Sequence, residues 1–167
     1  MRIITILCLY AVLSACATAY QRDSFSGGFS ETQLDENVWR VTFAGNGYTR
    51  EQRVEDFALL RSAELTIGKG YTHFVLAGSK SSSEIGAFTT PTTSNTTGSA
   101  YRSGNYIYGN ATTQTYGGQT VFVSKPSTTN TVIMFKSKPD GQGMVYDAKF
   151  ICQSLGQKYE VTCGGTK

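Results

Sequence analysis

Histidine is nearly absent from this sequence: His73 is the only one. A Ser-His-Asp or Cys-His relay would have to use it. It sits in the stretch YTHFVLA with no acidic residue beside it, as a packed or hydrogen-bonded strand histidine would. The four cysteines form no C-x-x-C pair, so neither a thioredoxin-type redox motif nor a zinc site with paired ligand spacing is present. No D-x-[DN]-x-[DN]-G loop supports calcium binding around Asp35 and Glu36. No cofactor or metal is therefore expected. Basic residues form no run or stripe and the net charge is only +3, which leaves nucleic acid without an electrostatic footprint. Proline, with three occurrences, is scarce, while glycine, with 18, and tyrosine, with 10, are plentiful. That balance favours strands and turns over a helical bundle.

A long apolar run is also missing. The longest, Ile3 to Leu13, has eleven residues. A bilayer span needs about 20, whereas the apolar region of an export signal needs roughly 7–15. Arg2 precedes it, and Ser14 and Ala15 are small, as a signal peptidase requires. Leu13-Ser14-Ala15-Cys16 looks like a bacterial lipobox. Residues 1–15 are then a lipoprotein signal peptide, and Cys16 is acylated and becomes the first residue of the mature chain. The plainer alternative is an ordinary signal peptide cleaved near Ala15 or Ala19. Likeness to lipoproteins implies that Ala17 favours the outer membrane, facing the periplasm. Each buried methylene contributes about 0.8 kcal/mol, so two or three acyl chains hold firmly where one does not. The membrane is thus the first expected partner.

Residues 16–28 are polar and end in Gly27-Gly28, which reads as a flexible tether. A single domain is expected over 29–167. VWRVTFA, Val38 to Ala44, alternates with Trp39, Val41 and Phe43 on one face, the pattern of a half-buried strand. Thr49 and Gln52 fit a capping box opening a helix that runs to about Lys69. Its polar face is read as Glu51, Glu55 and Ser62. YTHFVLA is a second strand, parallel to the first across a right-handed crossover. Residues 79–120 form a Ser/Thr/Gly/Tyr-rich insertion with hairpin character around Tyr106 to Tyr108. Two strands, Thr120–Ser124 and Thr131–Ser137, are expected on either side of a turn at Pro126. A helix follows over Met144–Leu155, capped by Gly156, and KYEVTC is a candidate last edge strand. The order β-α-β-insertion-β-β-α defines an α+β class: a two-layer sandwich with two helices on one face of a mixed sheet. A ferredoxin-like topology is one specific form of it.

The stretches GGFSETQLDENVWRVTFAGNGYT and RVEDFALLRSAELTIGKGYTHFVL, with VFVSKPSTTNTVIMF and YDAKFICQSLG, resemble a family of uncharacterised proteobacterial envelope lipoproteins. The resemblance includes the lipobox and covers most of the mature chain outside the insertion. It implies location and a shared domain, and supplies no catalytic residue.

Four candidate sites remain. Arg61 and Glu64 project near the apolar side of the first helix, as a structural ion pair would. Cys152 and Cys163 could close a disulfide in an oxidising compartment, or stay as two thiols. Tyr101, Tyr106, Tyr108 and Tyr116 could form a stacking surface for a glycan or protein, or a surface hairpin without ligand. Carboxylates at Glu51, Glu55, Asp56 and Glu64 have glycosidase-like pairings, but such groups on a helix are ordinarily solvated. The expected role is a non-enzymatic structural or interaction module with an envelope protein as partner. Glycan or peptidoglycan binding through the insertion is the alternative, and an enzyme without a recognisable motif is third.

Overall fold

A computed structural model describes residues 16–141 and 143–164; the signal peptide expected over residues 1–15 lies outside them. The described residues carry two helices, a mostly antiparallel five-stranded sheet and a separate two-stranded sheet, an α+β composition. The elements are β1 (Gly28–Asp35), β2 (Val38–Ala44), α1 (Glu51–Gly68), β3 (His73–Thr89), β4 (Thr93–Ser103), β5 (Tyr106–Tyr116), β6 (Thr120–Phe135), β7 (Tyr146–Asp147) and α2 (Ala148–Tyr159). They fall into two compact units, of which the second is Ile85–Val123.

In the first unit the sheet order is β1-β2-β6-β3-β7. β2 forms as its alternation predicts, with Trp39, Val41 and Phe43 buried. It pairs antiparallel with β6, Val38 opposite Ile133 and Ala44 opposite Ser127. β3 also runs against β6: Ser79 bonds Asn130 and Ser81 bonds Thr128. β2 and β3 therefore point the same way, as expected, but β6 lies between them. This split β-α-β corrects the expectation of a mixed sheet, because the returning strand turns each pairing antiparallel.

β6 corrects a second expectation. Thr120–Phe135 is one strand through Pro126, not two strands around a turn. Pro126 sits where β2 has just ended, and its carbonyl accepts from Gly45 N at 2.8 Å, so the missing proline N–H disrupts no ladder. Beyond it Thr128, Asn130, Val132 and Met134 alternate into the interior.

α1 begins at Glu51, and Arg50 caps it without a side-chain bond. The Thr49 capping box does not form, because Thr49 Oγ1 accepts from Thr18 N and donates to Asn46 Oδ1. Ser62, expected on a polar face, is fully buried. Its hydroxyl donates to Ala58 O at 2.7 Å and Thr66 does the same to Ser62 O, so the helix satisfies its own buried hydroxyls. α2 starts at Ala148 with Asp147 as N-cap, accepting from Phe150 N at 2.9 Å. Gly156 lies inside the helix rather than at its cap. A Cβ there would meet Val161 O at 2.8 Å, so glycine lets the chain fold back after Glu160. Val161–Gly164 forms no strand, correcting the KYEVTC expectation.

The largest correction concerns residues 16–28. They are packed onto the domain and are no flexible tether. Thr18 and Tyr20 are buried, and Tyr20 lies 5.2 Å from the Phe29 ring and 5.1 Å from the Phe57 ring. Phe29 N donates to Gln21 O and Asp23 N to Phe29 O, closing the segment onto β1. The glycine pair serves this return. Gly27 has φ +93° and a Cβ would stand 2.3 Å from Ala44 O. Gly27→Ala is expected to destabilise the domain by more than about 1 kcal/mol, since both conformation and space forbid the methyl. Thermal melting of that variant checks this; an unchanged midpoint would mean that the segment is not held.

Candidate functional site

Cys16 is exposed and carries a free thiol. Its carbonyl accepts from Asn46 Nδ2 at 2.8 Å, and Thr18 is fixed two residues later by Thr49, Asn46 N and Ser26 O. The acylation candidate is thus pinned to the surface of the fold, with no slack behind it. Two exposed aromatics belong to the loops that hold it: Phe25 precedes Ser26, and Tyr48 follows Asn46 by two residues, its N–H donating to Asn46 Oδ1.

Arg61 and Glu64 pair as expected, Nη1 to Oε2 at 2.8 Å, and both are buried. The sequence did not disclose their company. Glu31 of β1 takes the other edge of the guanidinium in a bidentate bond, at 2.8 and 3.0 Å. The Tyr20 hydroxyl donates to Glu64 Oε2 at 2.6 Å, and Gly164 N donates to Glu64 Oε1 at 2.8 Å. The Phe29 ring lies 4.2 Å beneath the guanidinium carbon. One cation thus joins the N-terminal segment, the edge strand, α1 and the C-terminal turn. This is a fastening: Nε, Nη1 and Nη2 of the guanidinium each donate to one of the two carboxylates.

The cluster sets a pH dependence. The Arg61 bonds hold the Glu31 carboxyl below its ordinary range. Burial works against the Arg61 charge, but the bonds to Glu31 and Glu64 outweigh it and raise its pKa. Burial, then the Glu64 bond, push the Tyr20 hydroxyl up. A lowered carboxylate contributes stability above its unfolded value and loses it as pH falls through the folded one. A raised tyrosine contributes below its unfolded value and loses it as pH rises. Stability is therefore expected to fall below about pH 4.5 and again above about pH 10, the ordinary values of the two groups. In Tyr20→Phe the alkaline decline should be shallower. Melting temperature against pH for the two chains checks it.

Cys152 and Cys163 lie at disulfide distance, Cα–Cα 5.8 Å, and tie α2 to the segment that feeds Gly164 to Glu64. Such a bridge contributes about 2–4 kcal/mol. Beside it opens a groove of about 900 Å³ lined by Ile67, Tyr71, His73, Lys136, Lys138, Asp147 and Lys149 among others. The fold supplies His73 with the acid that its sequence neighbours lack: Nε2 lies 3.9 Å from Asp147 Oδ2, and Nδ1 lies 2.8 Å from Thr72 Oγ1. The order hydroxyl, imidazole, carboxylate resembles a relay, yet Thr72 Oγ1 is placed to donate its proton to Lys136 O at 2.8 Å. With the hydroxyl proton on Lys136 O, it is His73 Nδ1–H that donates to Thr72 Oγ1. Among the described residues no group of three or more His, Cys, Asp or Glu could hold a metal ion. The helix carboxylates do not gather either: Asp56 is bonded to Lys158 and Tyr159, and Glu55 to Ser81.

The four tyrosines fall in the second unit, on β4 and β5. These strands pair antiparallel without a break from Thr93 opposite Tyr116 to Ser103 opposite Tyr106. Every residue of both strands is exposed. Tyr101 and Tyr108 stack 5.5 Å apart, and alternation puts Tyr106 and Tyr116 on the same face as Tyr108. The opposite face holds Gly98, Ala100, Gly109 and Ala111, flanked by the Thr96–Thr113 pair on one side and the Arg102–Ile107 pair on the other. The insertion is therefore a ribbon with two surfaces and no core. No family model, curated protein or solved structure matches the chain.

Proposed function

We propose that this protein is a lipid-anchored component of a bacterial envelope, held at the outer membrane by acylated Cys16, and that it presents the Ile85–Val123 unit as a non-enzymatic interaction element. The observation that carries the reading is the placement of Cys16: an exposed thiol at the last residue of the lipobox-like stretch, pinned to the domain through Asn46. An acyl anchor there leaves no tether, so the domain rides directly on the headgroups. Exposed Phe25 and Tyr48 beside it suit an interfacial position. The resemblance to proteobacterial envelope lipoproteins belongs to the same reading.

The finer architecture is part of the proposal too. Burial of one face of β2 and of the inner half of β6 supports a two-layer sandwich with both helices on that face. The order β2-α1-β3-β6-α2 suits a ferredoxin-like arrangement in which β1 takes the place of the last strand.

A second reading, glycan or peptidoglycan binding, is favoured by the stacked and exposed Tyr101 and Tyr108. Removal of Ile85–Val123 separates the roles. Ser83 and Ser124 are hydrogen-bonded, so a short Asn-Gly turn between Glu84 and Ser124 closes the gap. The shortened chain is expected to fold and stay in the membrane fraction while losing its envelope partners. If native crosslinking recovers the same partners from it, the ribbon is not the interaction element. Co-sedimentation of the full chain with purified peptidoglycan, lost in the shortened one, would favour the glycan reading.

A further inference from the structure

We propose that two copies of this chain associate through the free edges of β5, antiparallel, about a twofold axis at Ala111. The proposal rests on reading the ribbon as the interaction element and names its partner.

An edge strand offers a row of unpaired N–H and C=O groups to any strand that fits. Proteins blunt such edges with lysine, proline, bulges or short length. β5 has none of these. It runs for 11 residues, YIYGNATTQTY, without charge or proline, and its register with β4 is unbroken. Its other edge is unpaired among the described residues, where the sheet has two strands. A two-stranded ribbon without a core is marginal in water, and further strands stabilise it. Between Ile85 and Val123 the only charged residue is Arg102, on β4. The β4 edge is thus guarded and the β5 edge is not.

The occupant follows from the sequence of β5 itself. Laid antiparallel on a copy about Ala111, it sets Tyr106 against Tyr116 at both ends, Ile107 against Thr115, Tyr108 against Gln114 and Asn110 against Thr112. Aromatic pairs and β-branched partners are the combinations that favour strand pairing, and no like charges meet. The symmetry closes on itself, so the product is a four-stranded sheet β4-β5-β5-β4. Each outer edge carries an Arg102, which would face Ser94 of a further β4 rather than an acid and so opposes growth into a fibre. An edge with no charge to select a foreign strand, and with a register against itself that pairs aromatic with aromatic and Ile107 with Thr115, fits a second copy of this chain.

The test is sedimentation of the full detergent-solubilised chain. Wild type should run at twice the chain mass. Asn110→Lys with Thr112→Lys places lysines opposite one another across the axis, and this variant should run at the single-chain mass. So should the variant with Glu at both positions. A mixture of the two should regain the doubled mass, which a merely misfolded ribbon could not do. Ala111→Cys should bridge to its copy under mild oxidation, whereas Ala100→Cys on β4 should not. A single-chain mass for wild type, a doubled mass untouched in both charge variants, or no bridge at Ala111 would each overturn the proposal. If wild type is single but ribbon-dependent peptidoglycan sedimentation persists, self-pairing fails while the interaction-element reading survives. If the ribbonless chain keeps all its associations, both fail.

Discussion

Replacing Arg61 with methionine is expected to lower the melting temperature by about 6–20 °C. Methionine keeps the helix propensity and much of the apolar stem, so the loss is electrostatic. Without the guanidinium, Glu31 and Glu64 face each other across a space from which water is largely excluded; their side chains are 16% and 2% exposed. Removing one partner of a buried ionic cluster costs about 3–5 kcal/mol, because it leaves charge uncompensated. For a chain of this size each kcal/mol moves the midpoint by roughly 2–4 °C. Arg61→Lys should recover only part, since an ammonium cannot grip Glu31 with two parallel bonds. The loss should shrink when Glu31→Gln accompanies Arg61→Met, because one stranded charge is gone. An unchanged midpoint in Arg61→Met would show that the cluster is not what fastens the N-terminal segment to α1 and the C-terminal turn.

That cluster also marks where the sequence was legible and where it was not. The i,i+3 pair of Arg61 and Glu64 could be read because it lies on one helix and follows its period. Glu31, Tyr20 and Gly164 could not, since they reach Arg61 and Glu64 across 30, 44 and 100 residues of chain. β2 announced itself through Trp39, Val41 and Phe43. β1 did not: of GFSETQLD only Gly28 and Phe29 are buried, because it is an edge strand that shows its polar side chains to water. The segment before it looked like a tether because a single tyrosine and a threonine carry its docking, and no period betrays two residues. Ser62 misled for the converse reason. A serine or threonine that bonds back to the preceding turn can be buried at little cost, so a hydroxyl on a helix does not by itself mark the outer face. Pro126 read as a turn because proline normally interrupts a ladder; the end of β2 beside it removes that objection. The ribbon was half visible: Tyr106 to Tyr108 had strand character, but its partner Thr93–Ser103 is mostly Ser, Thr and Asn and, fully exposed, carries no burial pattern to detect.

Cys16→Ser carries the other large expected effect. Two or three acyl chains bury tens of methylenes at about 0.8 kcal/mol each, so their loss should move the protein from the membrane fraction almost wholly into the soluble one. No helix among the described residues is long and apolar enough to offer a second hold by spanning the bilayer. Phe25 and Tyr48 supply contact area beside the anchor but too little to retain the domain alone. Folding should be untouched, because the pinning of this segment runs through the Cys16 carbonyl and Thr18 and leaves the sulfur uninvolved. The Cys16→Ser chain should therefore melt as the wild type does while leaving the membrane.

The most direct measurement is the mass of the N-terminal peptide from protein extracted out of its native membrane. The account predicts a peptide that begins at Cys16 and carries acyl chains on that residue; an unmodified Cys16 thiol, or a chain processed at Ala19, would contradict it.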